Sequence, residues 1–310
     1  MHKNFLTMAF VGLAVAVSAI SAQAAPVIEA GSKALQDTGN FKVSERTIYL
    51  PTAQVHWMAY NKIKTVQHAG ALSRATRSSY SSTEVSGPVE MGKLEGMAQK
   101  LYDDLVQKFE AAGWTVETAQ EINGALTGLK PYAIDGKSGL PIAKWAEGKY
   151  AVATPTGTAS VDTGSPSTGM AQARFIKGKG GLVFIPIYRF DTASFSSDRG
   201  TGYSDTHAST SAAAELRLGG SMSVISDRGW YGSTIYEPLP VAGQVGQLAP
   251  AGSNADSRMN SGTSRWLGLA DSSKSAFEFV PDGDKAYVEA LRAGLDLNTA
   301  FVGRLMSKVK

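Results

Sequence analysis

Cysteine is missing from all 310 residues. Its absence excludes disulfides, thiolate metal sites, cysteine nucleophiles and a lipidated N-terminal cysteine. Histidine is scarce: there are four, of which His2 lies at the extreme N-terminus and His56, His68 and His207 are far apart. No His-Glu-x-x-His occurs and no two histidines fall within one helical turn, so the usual zinc arrangements are not written in this chain. Neither sign of charge dominates. Thirty Lys and Arg stand against 27 Asp and Glu, a formal net charge of +3. That balance is too small and too dispersed to imply nucleic acid as a partner. Gly-x-Ser-x-Gly is also missing. Its nearest likeness, "GGSMS" at Gly219 to Ser223, sits in an alternating strand pattern instead of a strand-to-helix elbow.

Long apolar runs are absent as well, with one exception at the start. Residues 1–25, "MHKNFLTMAFVGLAVAVSAISAQAA", have a short basic start at Lys3, an apolar run from Phe5 to Ile20, and small residues at Ala22 and Ala24. That layout predicts a secretory signal peptide cleaved after Ala24 or Ala25, and hence a periplasmic or secreted protein. Beyond it no segment approaches about 18 consecutive apolar residues, so no membrane-spanning helix is expected. The final "GRLMSKVK" reads as a helix end, not as the closing strand of a single-chain outer-membrane barrel. Residues 26–310 are long enough to bury a core as a single α+β domain.

What is present gives the outline of that domain. "RTIYLPTAQVHWMAY" (46–60) is rich in β-branched and aromatic residues and reads as a strand, with Val55, Trp57 and Ala59 on one face and His56, Met58 and Tyr60 on the other. In the segment from Glu90 to Trp114, Leu94, Ala98, Leu101, Leu105, Phe109 and Ala112 form one helical stripe, which Gly113 ends. "WTVETAQEI" then reads as a strand. Leu216, Leu218, Gly220, Met222 and Val224 alternate with polar residues, the pattern of a strand with one wet face. A closing helix from a cap at Asp284 would carry Tyr287, Leu291, Leu295, Asn298, Val302 and Leu305 on its face, with Phe301 beside them. Polar, pattern-poor stretches near 74–88, 154–169, 191–211 and 241–264 are expected to be loops. The sum is a mixed β-sheet packed by two amphipathic helices, with long polar loops.

"GKGGLVFIPIYRF" (Gly178 to Phe190) offers the nearest thing to a phosphate loop. A phosphate loop needs glycines after a strand and before a helix, so that N–H groups and the helix dipole converge on the anion. Here the glycines precede an apolar run with Ile185, Pro186 and Ile187, which argues for a bend between two strand segments. Pro186 suggests that the second lies at an edge or a bulge.

The remaining polar constellations have bland readings. His207 beside Asp205 falls in a polar loop. Asp103 and Asp104 diverge by about 100° on their helix, so Asp104 is expected to pair with Lys100 or Lys108. Asp282 and Asp284 read as a turn and a cap, with too few oxygen ligands near them for calcium. Trp145, Trp230, Tyr231 and Trp266 lie in or near irregular segments, where they could stack on a sugar or a partner or simply pack. No catalytic, cofactor-binding or metal-ligating residue is assigned, and no cofactor is expected.

The strand "IYLPTAQVHWMAY", the helix "MAQKLYDDLVQKFEAAGW", its following strand "TVETAQEI" and the later strand pair together resemble the α+β envelope domain shared by the curli secretion channel family and the N-terminal part of the Tol-Pal translocation protein. The resemblance spans half of the mature chain and lies in element order. It implies a helix laid against a mixed sheet, and a non-catalytic assembly, scaffolding or secretion-associated role with envelope proteins or by self-association. Anchoring by a lipidated cysteine, as in the curli channel proteins, is excluded here. The run Leu182 to Phe190 is apolar on both faces, which fits a buried sheet better than a barrel wall. A glycan or small-ligand binding module, and a hydrolase with an unrecognised site, are the alternatives.

Overall fold

The computed structural model describes residues 34–43, 45–68, 78–122, 124–199, 208–241, 244–251 and 271–309. The leader, His207, Asp205 and Trp266 lie outside them.

The chain runs β1 (Leu35–Asn40), β2 (Thr47–Leu50), β3 (Gln54–His68), β4 (Ser78–Ser86), α1 (Met91–Ala111), β5 (Thr115–Thr118), α2 (Ala119–Ile122), β6 (Ala133–Ile134), β7 (Pro141–Trp145) and β8 (Gly148–Ala153). It continues with α3 (Pro166–Ile176), β9 (Leu182–Arg199), β10 (Ala208–Ser226), β11 (Gly229–Pro240), β12 (Gly246–Pro250), β13 (Asp271–Pro281) and α4 (Lys285–Lys308). The strands form one mixed sheet whose main path is β1-β11-β10-β9-β3-β4-β13-β12. The class is therefore α+β, with sheet predominating. None of the described helices is long and apolar enough to cross a membrane.

One face of the sheet carries α1 and α4. Leu94, Ala98, Leu101, Leu105 and Phe109 of α1 are buried there with Trp57, Phe184, Tyr188 and Phe190 of the sheet, and Gly113 ends the helix with φ 79°. The opposite face carries α3, whose Phe175 and Ile176 cover Tyr49, Val183 and Ile185. Coverage on both sides is why Leu182 to Phe190 is apolar in both registers.

Several expectations need correction. Residues 78–86 are strand β4, antiparallel to β3 and parallel to β13. Ser81, Ser82 and Thr83 are buried in it, and Ser81 Oγ and Thr83 Oγ1 lie 2.9 and 2.8 Å from Thr210 Oγ1 of β10. Backbone pairing is indifferent to side-chain polarity, and hydroxyls that bond across an interface can be buried. For the same reason 191–199 and 208–211 are the paired ends of β9 and β10, and 246–250 is strand β12. The stretch 154–169 is irregular only as far as Ser165, because Pro166 opens α3 at a position where its missing N–H is harmless. So the glycines at 178, 180 and 181 do form a bend into a strand, all with positive φ, but they leave a helix, not a strand. The 46–60 strand breaks at Pro51 into β2 and β3, and "TAQEI" supplies the one-turn α2.

Pro186 is at neither an edge nor a bulge. Strand β9 pairs with β2 through Val183 and with β3 from Ile187 onward. Pro186 stands opposite Met222 of β10 and, on the other side, where the neighbour of β9 changes from β2 to β3. Asp284 makes no side-chain cap hydrogen bond; its carboxylate pairs with Lys93 at 2.7 Å. The buried stripe of α4 centres on Ala290, Gly294, Leu297, Phe301 and Leu305, while Leu291 and Leu295 are half-buried. Small residues let α4 approach α1 closely: a Cβ on Gly294 would lie 2.7 Å from Leu101 Cδ2.

Candidate functional site

Two places concentrate functional groups, and both lie on the α3 side of the sheet. The first is a buried polar row. Strand β3 supplies Gln54 and His56, and its parallel neighbour β9 supplies Arg189 directly beside His56. Gln54 closes two hydrogen bonds with the backbone of Val161, at 2.9 and 2.8 Å, and so pins the irregular segment before α3. His56 is fully buried. Its Nδ1 accepts from Trp145 Nε1 at 2.9 Å, which leaves the proton of the neutral ring on Nε2, buried without a hydrogen-bond partner.

The Arg189 guanidinium lies 5.2 Å from the Trp145 ring centroid and 3.8 Å from Asp191 Oδ1. It fills the space that a side chain at residue 219 would need, since a Cβ on Gly219 would sit 2.8 Å from Arg189 Nη2. Asp191 accepts the Tyr150 hydroxyl at 2.6 Å. Burial, helped by the Arg189 charge, pushes His56 down to about 3. Burial also raises Asp191, against the pull of Arg189, Tyr150 and Arg217. A neutral imidazole, a guanidinium and a carboxyl thus stand in one row. The imidazole is fully buried, with the Tyr132 ring centroid 5.4 Å from its own and the Trp145 ring centroid 5.9 Å away.

The second place is open. On β11, Trp230, Gly232, Thr234 and Tyr236 alternate with the core residues Tyr231, Ser233 and Ile235. Trp230 is 58 % exposed and Tyr236 56 %. Register places Asn40, Thr38 and Gln36 of β1 beside Trp230, Gly232 and Thr234, and Ile225, Ser223 and Ser221 of β10 on their other side. Helix α3 packs on β9 and β10 and flanks this shelf. Gly39, with φ +77°, makes room for the indole, because its Cβ would lie 3.0 and 3.1 Å from two indole atoms of Trp230.

The residues singled out from sequence are scattered. Trp145 belongs to the buried row, Trp230 to the shelf, and Tyr231 to the core, where it donates to Asp37 at 2.8 Å. His68 ends β3 opposite Ser78. Asp104 pairs with Lys108 and Asp103 accepts from Gln99, both within α1. Gly219 and Gly220 lie in β10, as expected, and the "GGSMS" segment has packing reasons for both glycines. The described residues contain no group of three or more His, Asp or Glu that could hold a metal. An open depression of about 490 Å³ between β10 and β12 has Glu215 as its one charged lining residue. Sequence reasoning missed Arg189, Asp191 and Tyr150, which join His56 only through strand pairing. It also missed Tyr236, although the two-residue period from Trp230 would have shown it.

No protein-family model, curated protein or solved structure matches this chain.

Proposed function

We propose that the chain is an exported cell-envelope protein, periplasmic or secreted, with a non-catalytic assembly or scaffolding role, and that strand β1 is its point of self-association. The layout of residues 1–25 supports export. The likeness in element order to the curli channel and Tol-Pal domains supports the envelope role.

The observation that carries the assembly reading is β1 itself. It pairs with β11 on one side, five of its six residues are exposed, and no described strand pairs with its other side. Exposed edges are usually blunted by lysine, proline or a bulge. The sequence "LQDTGN" has none of these. Its single charge is already matched: Asp37 meets Arg304 Nε at 3.2 Å and Lys308 Nζ at 3.1 Å, and accepts from Ser233 at 3.0 Å. Although burial alone would raise its pKa, hydrogen bonds from Tyr231, Lys308 and Ser233 and the charge of Arg304 hold it below the usual carboxylate range. An antiparallel β1–β1 pair about a two-fold axis would continue the sheet from one copy into the next.

Sedimentation velocity of the mature chain, with and without outer-membrane lipid, tests this. The wild type should sediment as a dimer or larger, and a Gln36→Lys, Thr38→Lys variant should shift to monomer. A wild type that stays monomeric at every concentration and in lipid would remove the reading.

A further inference from the structure

We propose that the shelf formed by β1, β11 and β10 beside α3 is a binding surface for a neutral, extended glycan chain, with Trp230 and Tyr236 as its two stacking platforms. The inference does not depend on β1 pairing.

Three features of the shelf point to this ligand. The platforms are placed for a polymer. Trp230 lies in the β1–β11–β10 ladder and Tyr236 just past its regular part, at the register irregularity between Ile235 and Leu239; six residues of strand separate the two by about 20 Å, a span that suits several sugar units and not one small molecule. The indole is also seated on β1: Gly39 lets the strand approach Trp230, since a Cβ there would lie 2.5 Å from Trp230 O and 3.0 Å from the indole, and more than half of the residue remains exposed. An aromatic face held in this way matches the C–H face of a pyranose ring, which is apolar and gains from such contact without any charge.

The floor between the platforms supplies the third feature. From β1 through β11 to β10 it consists of Gln36 and Thr38, Gly232 and Thr234, and Ser221 and Ser223. Every one is uncharged, and the side chains offer hydroxyls and an amide that both donate and accept, which is the complement of sugar hydroxyls. The apolar groups of the shelf, Trp230 with Ile225 beside it and Tyr236, stand at its two ends, and the floor between them is polar, the reverse of the apolar centre and polar rim of a protein interface. An anionic polymer would need lysines or arginines, and there are none among these six positions.

Calorimetric titration of the mature protein with cellohexaose and with chitohexaose is the direct test, with polygalacturonate as the anionic comparison. One of the two neutral hexaoses should bind saturably. Trp230→Ala and Tyr236→Ala should each weaken that binding at least tenfold, Trp230→Phe should keep most of it, and Met170→Ala, an exposed apolar change on α3, should leave it unchanged. Circular dichroism and urea midpoints of the variants separate lost binding from lost fold. If Trp230→Ala does not fold, Tyr236→Ala provides the answer, and its unchanged binding overturns the proposal. Absence of saturable binding to both hexaoses, or binding that survives Trp230→Ala with Tyr236→Ala, overturns the proposal. So does preferential binding of polygalacturonate. If the double variant instead dissociates an oligomer, the shelf is a protein interface and the proposal fails. A monomeric wild type that still binds the hexaose leaves this inference standing and removes only the β1 contact.

Discussion

The indole N–H of Trp145 on β7 donates to Nδ1 of His56 on β3 across 2.9 Å, over the intervening strand β8. Protonating His56 at Nδ1 would replace that acceptor with a second donor, facing the donor already there. It would also place a cation beside Arg189, with Asp191, Tyr150 and Tyr132 as the other titratable groups around the row. Both effects keep the imidazole neutral.

Acid should therefore cost this protein stability through His56. The folded-state pKa is about 3, against about 6.5 in an unfolded chain. Between those values the unfolded chain binds the extra proton. The contribution is then fully present above about pH 6.5 and is lost as pH falls toward 3, by about 1.4 kcal/mol per unit. Urea midpoints at pH 7 and pH 5 for wild type and His56→Gln should show the wild type losing about 1–2 kcal/mol more on acidification. Asp37, Glu84 and the other carboxylates are common to both proteins and cancel in the comparison. Equal losses would mean that His56 is not held neutral.

The glycine bend gives a graded series. Gly181 has φ +69° and its Cβ would lie 2.3 Å from Thr47 O, so Gly181→Ala must move backbone that β2 needs. A loss of about 2–4 kcal/mol is expected. Gly178 has φ +78° with open space around it, so Gly178→Ala should show only the left-handed penalty, about 1–2 kcal/mol. Lys179 sits 4.1 Å from the Phe175 ring centroid, and Lys179→Ala should cost about 0.5–1 kcal/mol. Lys177→Ala should stay within about 0.5 kcal/mol. Thermal midpoints rank the four; a Gly181→Ala no worse than Gly178→Ala would contradict the close approach to β2.

The sequence made some of this legible and hid the rest for identifiable reasons. Helix α1 was readable because Leu94, Leu101, Leu105 and Phe109 are large and periodic. In β10 the alternation from Leu216 to Val224 was equally plain. Strand β4 was not, because Ser81, Ser82 and Thr83 are buried yet carry no apolar signal, and Thr210, the partner of Ser81 and Thr83, lies more than 120 residues away. On α4 the expected Tyr287, Asn298, Phe301, Val302 and Leu305 are buried, whereas Ala290 and Gly294, buried as well, weigh little in any apolar pattern and were not legible. The polar row was invisible for a related reason. Trp145 is 89 residues from His56, and only the order of β7, β8, β3 and β9 in the sheet brings the two residues together with Arg189.

The contact of α1 with α4 supplies the last prediction. Leu101 and Leu105 are fully buried, whereas Asp103 is exposed. Truncating either leucine to Ala should cost about 2–5 kcal/mol, and Asp103→Ala no more than about 0.5 kcal/mol. Between the helices lies a polar group that tests the geometry more sharply. Asn298 of α4 is fully buried, donates to Leu101 O at 2.9 Å and to Asp104 Oδ2 at 2.8 Å, and accepts from the Tyr188 hydroxyl of β9. Asn298→Leu leaves that hydroxyl buried without its acceptor, which should cost about 1–3 kcal/mol beyond any change in packing. Tyr188→Phe leaves Asn298 Oδ1 unmatched in the same way. In the double variant neither orphan remains, so its loss should fall short of the sum of the single losses by about 0.5–3 kcal/mol. Urea denaturation of the four proteins measures the coupling, provided that their slopes agree. Strictly additive losses would mean that Tyr188 and Asn298 do not meet, and that α4 sits on the sheet in a different register.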